Sequence, residues 1–217
     1  MNPTSNGNDG GAPTFVCVSG SDASGKSTQV EALTRALAER GETVAPVTIW
    51  DALDVPHVAR KLPFRDRAEV FAYLGILGTG SRAHFLFHAL HVALEVAVAQ
   101  APDIVLLNAH WYKYFATEVA HGGDPDTVRA WTAGFPEPDT TFYLRISPET
   151  ALARKRERSD YESGYGDAEA FLAFQRRSLT VLDRLCTEYG WTELDATAAP
   201  DTLTETMLAT IGSGGRR

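Results

Sequence analysis

The chain has 217 residues, of which 44% are hydrophobic and 22% charged, which is the balance of a globular protein and not of a disordered chain. Acidic side chains outnumber basic ones by 28 to 20, and the net charge of −8 disfavours nucleic acid or an anionic membrane as a partner. Two cysteines cannot form a disulfide framework. Polar residues 1–13 predict no signal peptide, and the longest apolar stretch, about 83–99, is interrupted by histidines and Glu95. We therefore expect a cytoplasmic enzyme or binding protein.

Short apolar runs alternate with longer helical patterns along the chain. They predict strands at 15–18, 44–50, 104–107, 141–146 and 191–194, and helices at 27–40, 68–77, 81–100, 149–158, 168–189 and 200–211. Crossovers of this length predict an α/β domain with a five-stranded parallel sheet and helices on both faces. We expect this domain to span 13–211, with a lid at about 154–166, a disordered tail at 1–12 and a flexible tail at 212–217.

A phosphate-binding motif lies between the first strand and the first helix. The segment from Gly20 to Ser27 matches G-x-x-x-x-G-K-[ST]. Its glycines let backbone N–H groups surround phosphate oxygens, and the helix N-terminus adds positive potential. Lys26 would neutralise the β- and γ-phosphates of ATP, and the hydroxyl of Ser27 would ligate Mg²⁺. The residues expected to hold the nucleotide are Gly20, Ser24, Gly25, Lys26, Ser27 and Thr28. The motif does not specify the acceptor, because ATPases, GTPases and small-molecule kinases share it.

The loop and several later segments together resemble thymidylate kinase, a family of P-loop nucleoside monophosphate kinases. The loop runs Gly20-Ser-Asp22-Ala-Ser-Gly25-Lys26-Ser27-Thr28-Gln29, and the family's lid and closing segments are similar to 138–156, 160–162, 174–175, 190–191 and 195–197. The stretch 81–84, which contains Arg82, is similar to the Arg-bearing helix that lines the family's acceptor site. The resemblance implies the P-loop kinase fold, an ATP donor, Mg²⁺, a mobile lid and a homodimer.

Two positions depart from the pattern of that family. Its third strand ends in Asp-Arg-Tyr/His, where the Asp serves the metal and the Arg clamps the acceptor phosphate, but this chain has Leu107-Asn108-Ala109-His110. Asn108 can offer the metal an uncharged oxygen, whereas Ala109 offers a phosphate nothing. The Arg-Glu-Pro-Gly-Gly segment after the second strand is replaced by 48–51. Because a bidentate Arg clamp dominates phosphate recognition, its loss predicts a diverged acceptor.

Charged residues of the loop and the lid are candidates for catalysis. Arg154 and Arg158 lie four residues apart before the lid loop, where they could stabilise charge in the transition state or simply complement a helix C-terminus. Asp22 lies inside the phosphate loop. It could bind or deprotonate an acceptor hydroxyl, or cap the tip of the loop.

The remaining candidates would line the acceptor side. Asp51 ends the second strand, and it could contact the acceptor, replace the missing metal-side charge or cap a helix. Aromatic residues and Lys113 follow the altered third strand, so they could stack on a flat group and bind an anion, or pack on the core. His84, His88 and His91 share a helical face, which suits an amphipathic helix better than a zinc site. The candidate acceptor contacts are Asp22, Asp51, Arg82, His84, His110, Trp111, Lys113 and Tyr161.

These features together predict an Mg·ATP-dependent kinase that transfers the γ-phosphoryl group to a small molecule. By resemblance the acceptor is a nucleoside monophosphate, and the missing clamp leaves open an unphosphorylated nucleoside or a specialised metabolite with a hydroxyl, carboxylate or guanidino group. A nucleotide-binding pseudo-kinase is the alternative of another class, because Asn108 replaces an acid.

Overall fold

The computed structural model describes residues 12–51, 64–155, 161 and 166–213. Its centre is one parallel sheet of five strands in the order β2-β3-β1-β4-β5. The strands are β1 (Thr14–Gly20), β2 (Val44–Val47), β3 (Ile104–Asn108), β4 (Thr140–Arg145) and β5 (Thr192–Asp195). In the central pairs Val16 lies beside Leu106 and Val18 beside Phe142.

The helices that connect the strands are α1 (Lys26–Glu39), α2 (Arg67–Ile76), α3 (Thr79–Val98), α4 (His110–Ala120), α5 (Pro125–Ala130), α6 (Pro148–Arg154), α7 (Ala168–Tyr189) and α8 (Pro200–Ser213). Local sequence determines where several of them begin. The side chains of Asp66, Asp124, Ser147 and Asp167 each accept a hydrogen bond from a backbone N–H in the first turn of the following helix.

The core forms two layers, one on each face of the sheet. Val105 and Leu107 of β3 pack with α2, α3, α4 and α7, whereas Leu106 packs with α1 and α8. This alternation follows from the period of two along a strand. The expected α/β class, with a five-stranded parallel sheet and helices on both faces, is therefore confirmed.

Helices α4 and α5 were not among the predicted helices, and β2 ends at Val47, three residues before its predicted end. The lid expected at 154–166, including Arg158, lies mostly outside the described residues, and the domain limits stay a prediction. Within the described ranges, no helix is both long and apolar enough to cross a membrane.

Candidate active site

A cavity of about 400 Å³ opens at the carboxyl edge of the sheet, between the ends of β1, β2 and β3. Loops at this edge commonly bind ligands in open parallel sheets. The lining residues that matter for chemistry are Asp22, Lys26, Ser27, Trp50, Arg67, Asn108, Lys113, Tyr114 and Lys155. Four of them are cationic and one is a carboxylate, so the lining is positive in a chain whose overall charge is negative.

The phosphate loop has the backbone that its glycines require. Gly20 has φ of 149° and Gly25 has φ of 97°, and both values favour glycine. A Cβ atom on Gly20 would lie 2.6 Å from Oγ of Ser24 and 2.8 Å from the carbonyl oxygen of Leu144. The loop can therefore close tightly at this position only because the side chain is absent.

The donor-side groups point to anionic oxygens as ligands. Nζ of Lys26 donates a hydrogen bond of 2.6 Å to the carbonyl of Ser21, which keeps the ammonium over the loop. Oγ of Ser24 is buried and has no hydrogen-bond partner among the described residues. A buried hydroxyl in a phosphate loop is satisfied when a phosphate oxygen accepts its proton. The loop thus fits the phosphates of a nucleoside triphosphate.

Asn108 and Ser27 are the residues that could hold Mg²⁺. Nδ2 of Asn108 donates a hydrogen bond of 3.1 Å to Oγ of Ser27, so the structure brings together the two side chains that the sequence analysis assigned to the metal. Both offer neutral oxygens, which suit Mg²⁺ when substrate phosphates and water complete the shell. Among the lining residues the only carboxylate is Asp22.

Asp22 and Lys113 form an ion pair inside the cavity. Nζ of Lys113 lies 2.6 Å from Oδ1 of Asp22, and their side chains are only 17% and 13% exposed. Desolvation alone would raise the pKa of Asp22, but Lys113, Lys26 and Lys155 outweigh it and hold that pKa well below its usual range. Asp22 is therefore a stably ionised carboxylate between lysines.

Two lining cations, Arg67 and Lys155, were not among the residues chosen from the sequence. Arg67 is the first residue of α2, and Lys155 directly follows α6. The sequence did contain a signal for Lys155, because it stands between Arg154 and Arg158, the two arginines that were chosen. No sequence motif marked Arg67.

Arg82 lies away from the cavity wall in a buried polar cluster. Its Nε donates to both carboxylate oxygens of Glu118, at 2.8 and 3.1 Å, and the hydroxyl of Tyr161 donates to Oε1 at 2.9 Å. Burial raises the pKa of Glu118, and Arg82 opposes that shift. The structure thus brings Arg82 and Tyr161 together around Glu118, and their contact with an acceptor stays a prediction.

Asp51 and His84 also stand outside the cavity lining. The carboxylate of Asp51 accepts hydrogen bonds from the backbone N–H and the hydroxyl of Thr48. These contacts close a local turn. His84 is exposed, and its ring lies 3.9 Å from the ring of Trp131. Within the described ranges, no cluster of three or more His, Cys, Asp or Glu side chains is placed to hold a metal.

His110 and Trp111 begin α4 and point into the core. His110 is fully buried, and its Nε2 lies 3.0 Å from the carbonyl of Pro136, so this nitrogen carries the proton. Burial lowers the pKa of His110 to about 3. Trp111 is buried against the rings of Tyr112 and Phe115. The backbone of α4 therefore turns so that Lys113 and Tyr114, and not these two side chains, line the cavity.

Arg154 ends α6 and is exposed. Its Nη1 donates a hydrogen bond of 3.0 Å to the carbonyl of Ala196, in the loop after β5. The next residue, Lys155, lies on the cavity wall instead. The catalytic role expected for Arg154 stays a prediction, as does that of Arg158, which is outside the described residues.

Sequence similarity to thymidylate kinases extends over most of the chain. A probable thymidylate kinase of Sulfurisphaera tokodaii is 26% identical over 201 residues, which cover 93% of this chain and 97% of that protein. The thymidylate kinase of Prosthecochloris aestuarii is 25% identical over 219 residues, covering 92% and 95%. The chain is a distant homologue of the thymidylate kinases. No family model matches it.

A solved structure extends this result to the fold. Deoxyadenosine kinase from M. mycoides, with bound dATP, superposes with a TM-score of 0.63 at 15% identity, over 92% of this chain and all of that one. At this identity the match shows the P-loop kinase fold alone.

Proposed function

We propose that this protein transfers the γ-phosphoryl group of Mg·ATP to a nucleoside monophosphate. The observation that carries the proposal is the cavity at the sheet edge, where Lys26, Lys113 and Lys155 converge beside Ser27 and Asn108. One lysine suffices for a phosphate loop, so the others supply charge for a second anionic group. They can replace the arginine that the thymidylate kinase pattern has at the position of Ala109.

Charge neutralisation is the main catalytic task of these residues, because the transition state of phosphoryl transfer is loose and anionic. Backbone N–H groups of the loop would hold the donor phosphates, and Lys26 would balance their charge. Ser27 and Asn108 would hold Mg²⁺, which would supply positive charge to neutralise the phosphate oxygens. Trp50 and Tyr114 wall the cavity and would exclude water from it.

The test is ADP release from Mg·ATP against an acceptor panel, with products identified by mass. The panel holds dTMP, the other monophosphates, thymidine, deoxyadenosine and small hydroxy, carboxy and guanidino compounds. We expect a monophosphate to turn over at about 1–100 per second. Lys26→Ala should abolish turnover, whereas Arg176→Ala, which removes a cation from an exposed ion pair with Glu149, should not. Turnover of none of the monophosphates would contradict the proposal.

A nucleoside is the second candidate acceptor, because no cation stands at Ala109, where the resembling family has its phosphate-clamping arginine. Deoxyadenosine kinase, which has the same fold, acts on such a compound by its name. Faster turnover of thymidine or deoxyadenosine than of any monophosphate would favour this candidate. ATP binding without turnover of any acceptor would instead support a pseudo-kinase, and recovery of turnover in Asn108→Asp would identify the missing acid as its cause.

We also propose that the protein is a homodimer. Support comes from α2, which carries Phe71, Tyr73 and Ile76, three of the four large hydrophobic side chains that stand exposed in the described residues. Ile76 is 80% exposed. Sedimentation equilibrium should give twice the chain mass, and Ile76→Lys should shift it toward the monomer. Val98→Lys, on α3, is the control. A monomer for the unaltered chain would contradict this proposal.

A further inference from the structure

The ion pair between Asp22 and Lys113 joins two elements that meet at the cavity. Asp22 belongs to the phosphate loop, and Lys113 lies in the first turn of α4. The 2.6 Å contact holds the ammonium of Lys113 at the phosphate loop, in the cavity that Asn108 and Ala109 also line. The ion pair thereby holds the flexible side chain of Lys113 in one position.

A carboxylate inside a phosphate loop needs an explanation, because it repels the anions that the loop binds. Three lysines surround Asp22 and keep it ionised. A carboxylate that holds its proton so weakly has little driving force to take one from an acceptor hydroxyl near pH 7. Its charge is better matched to fixing a lysine than to general-base catalysis.

Lys113 can supply the positive charge that is missing at Ala109. Ala109 has a methyl group at the cavity wall and no charge. Lys113 follows it by one helical turn, so its long side chain can return to the same edge. Since the other end of the pair belongs to the phosphate loop, the ammonium stands beside the place where the donor phosphates would bind.

We propose that Lys113 is the acceptor-side cation of this site and that Asp22 is the positioning residue that aims it, so that the site selects acceptors carrying an anionic group. The inference rests on the proposed function for the identity of the reaction. Its first test is a binding measurement and does not need turnover.

Titration calorimetry with dTMP and with thymidine, in the presence of a non-hydrolysable ATP analogue, measures how strongly the phosphate contributes to binding. We expect Lys113→Ala to reduce the preference for dTMP over thymidine by about 10- to 100-fold, as for loss of a hydrogen bond to a charged group. Affinity for the ATP analogue should stay within about twofold, and Arg176→Ala should change neither value. An unchanged preference in Lys113→Ala would overturn the proposal, as would a wild-type protein that prefers thymidine.

Rescue separates a charge effect from a folding effect. Ala109 already carries a Cβ atom at φ of 81°, and it is one of the residues that line the cavity. Ala109→Arg in the Lys113→Ala background should restore the preference for dTMP. Failure of this rescue, in a variant that unfolds at the same urea concentration as the wild type, would count against a phosphate contact by Lys113.

Asp22→Asn distinguishes positioning from proton abstraction. If Asp22 aims Lys113, the substitution raises KM for the acceptor in the wild-type background and has almost no effect on kcat in the Lys113→Ala background. A general base would instead lose kcat in both backgrounds, about 100-fold or more, and that result would overturn the positioning role. Tight, Lys113-dependent binding of dTMP without any transfer would contradict the proposed function and leave the role of Lys113 intact.

Discussion

Nδ2 of Asn108 donates a hydrogen bond to Oγ of Ser27 across 3.1 Å, and it thereby ties the end of β3 to the first turn of α1. The amide holds the serine hydroxyl at the place where a metal ligand is needed. It does so without adding charge, so a bound Mg²⁺ would depend on phosphate oxygens for its negative ligands.

Asn108→Asp should lower the Mg²⁺ concentration that gives half-maximal activity by about tenfold, because a carboxylate is the stronger ligand for a hard cation. The hydroxyl of Ser27 can reverse its role and donate to the new carboxylate. Initial rates over a range of Mg²⁺ at fixed ATP measure the effect. Asn108→Ala, which keeps neither oxygen nor charge, is the control and should need more Mg²⁺. An identical Mg²⁺ requirement in all three proteins would contradict a metal contact at this position.

Gly20→Ala should abolish nucleotide binding. The new Cβ atom would meet a backbone carbonyl at 2.8 Å, and φ of 149° is strained for any side chain. Binding of a fluorescent ATP analogue measures the loss. Gly75→Ala is the matched control, because a Cβ atom in that turn of α2 meets nothing within 4 Å.

The control variant Gly75→Ala should itself change the stability of the protein. Alanine in place of glycine inside a helix should raise the free energy of unfolding by about 0.5–1 kcal/mol. Urea unfolding measures it. Nucleotide affinity that survives in Gly20→Ala, or that is lost equally in Gly75→Ala, would show that the tight closure of the loop is not what the substitution disturbs.

Arg82→Met should lower the free energy of unfolding by about 3–5 kcal/mol, because it leaves the carboxylate of Glu118 buried without its cation. The double variant Arg82→Met/Glu118→Leu should recover much of this loss, since it removes both charges. Urea unfolding of the two single variants and the double variant measures the coupling. Additive losses would contradict a direct interaction between the two side chains.

Activity of that double variant answers a separate question. If Arg82 only holds the fold together, restoring stability restores turnover. If it also contacts the acceptor, as the resemblance implied, turnover stays low in a stable protein.

Acid should destabilise the fold between pH 6.5 and 4. Burial lowers the pKa of His110 to about 3 and that of His121 to about 4, so both are neutral in the folded chain and charge on unfolding below their ordinary value of 6.5. Because the unfolded state then binds more protons, stability falls with falling pH, by up to about 1.4 kcal/mol per pH unit for each histidine.

Urea unfolding at several pH values measures this slope. His121→Asn, which removes the imidazole whose Nε2 lies 3.1 Å from the carbonyl of Tyr161, should reduce the slope. A slope that is unchanged by His121→Asn would mean that this ring is not held neutral by burial.

Patterns with a strong physical constraint predicted the fold and the donor side. Apolar runs gave strands, and the glycines with Lys26 and Ser27 gave the phosphate loop, because few sequences satisfy its backbone. The acceptor side was harder, because position in sequence does not reveal which way a side chain points. Trp111 and Lys113 are two residues apart on α4, yet one is buried in the core and the other lines the cavity.

The residues from distant segments were the least predictable. Glu118 was not proposed at all, although it organises Arg82 and Tyr161, because a single carboxylate in an aromatic helix carries no spacing signal. Arg67 lines the cavity from the first residue of α2, one residue before the helix predicted at 68–77. Such contacts depend on how helices from separate parts of the chain meet, and that information is tertiary.

The contrast between a positive cavity and an acidic exterior has a kinetic consequence. A small anion can diffuse into the cavity, where the local field of several lysines outweighs that of the more distant carboxylates. A long polyanion must lie along the outer surface, and there it meets repulsion over its whole length. The same distribution of charge therefore speeds the capture of free metabolites and slows unproductive encounters with larger molecules of the same chemistry.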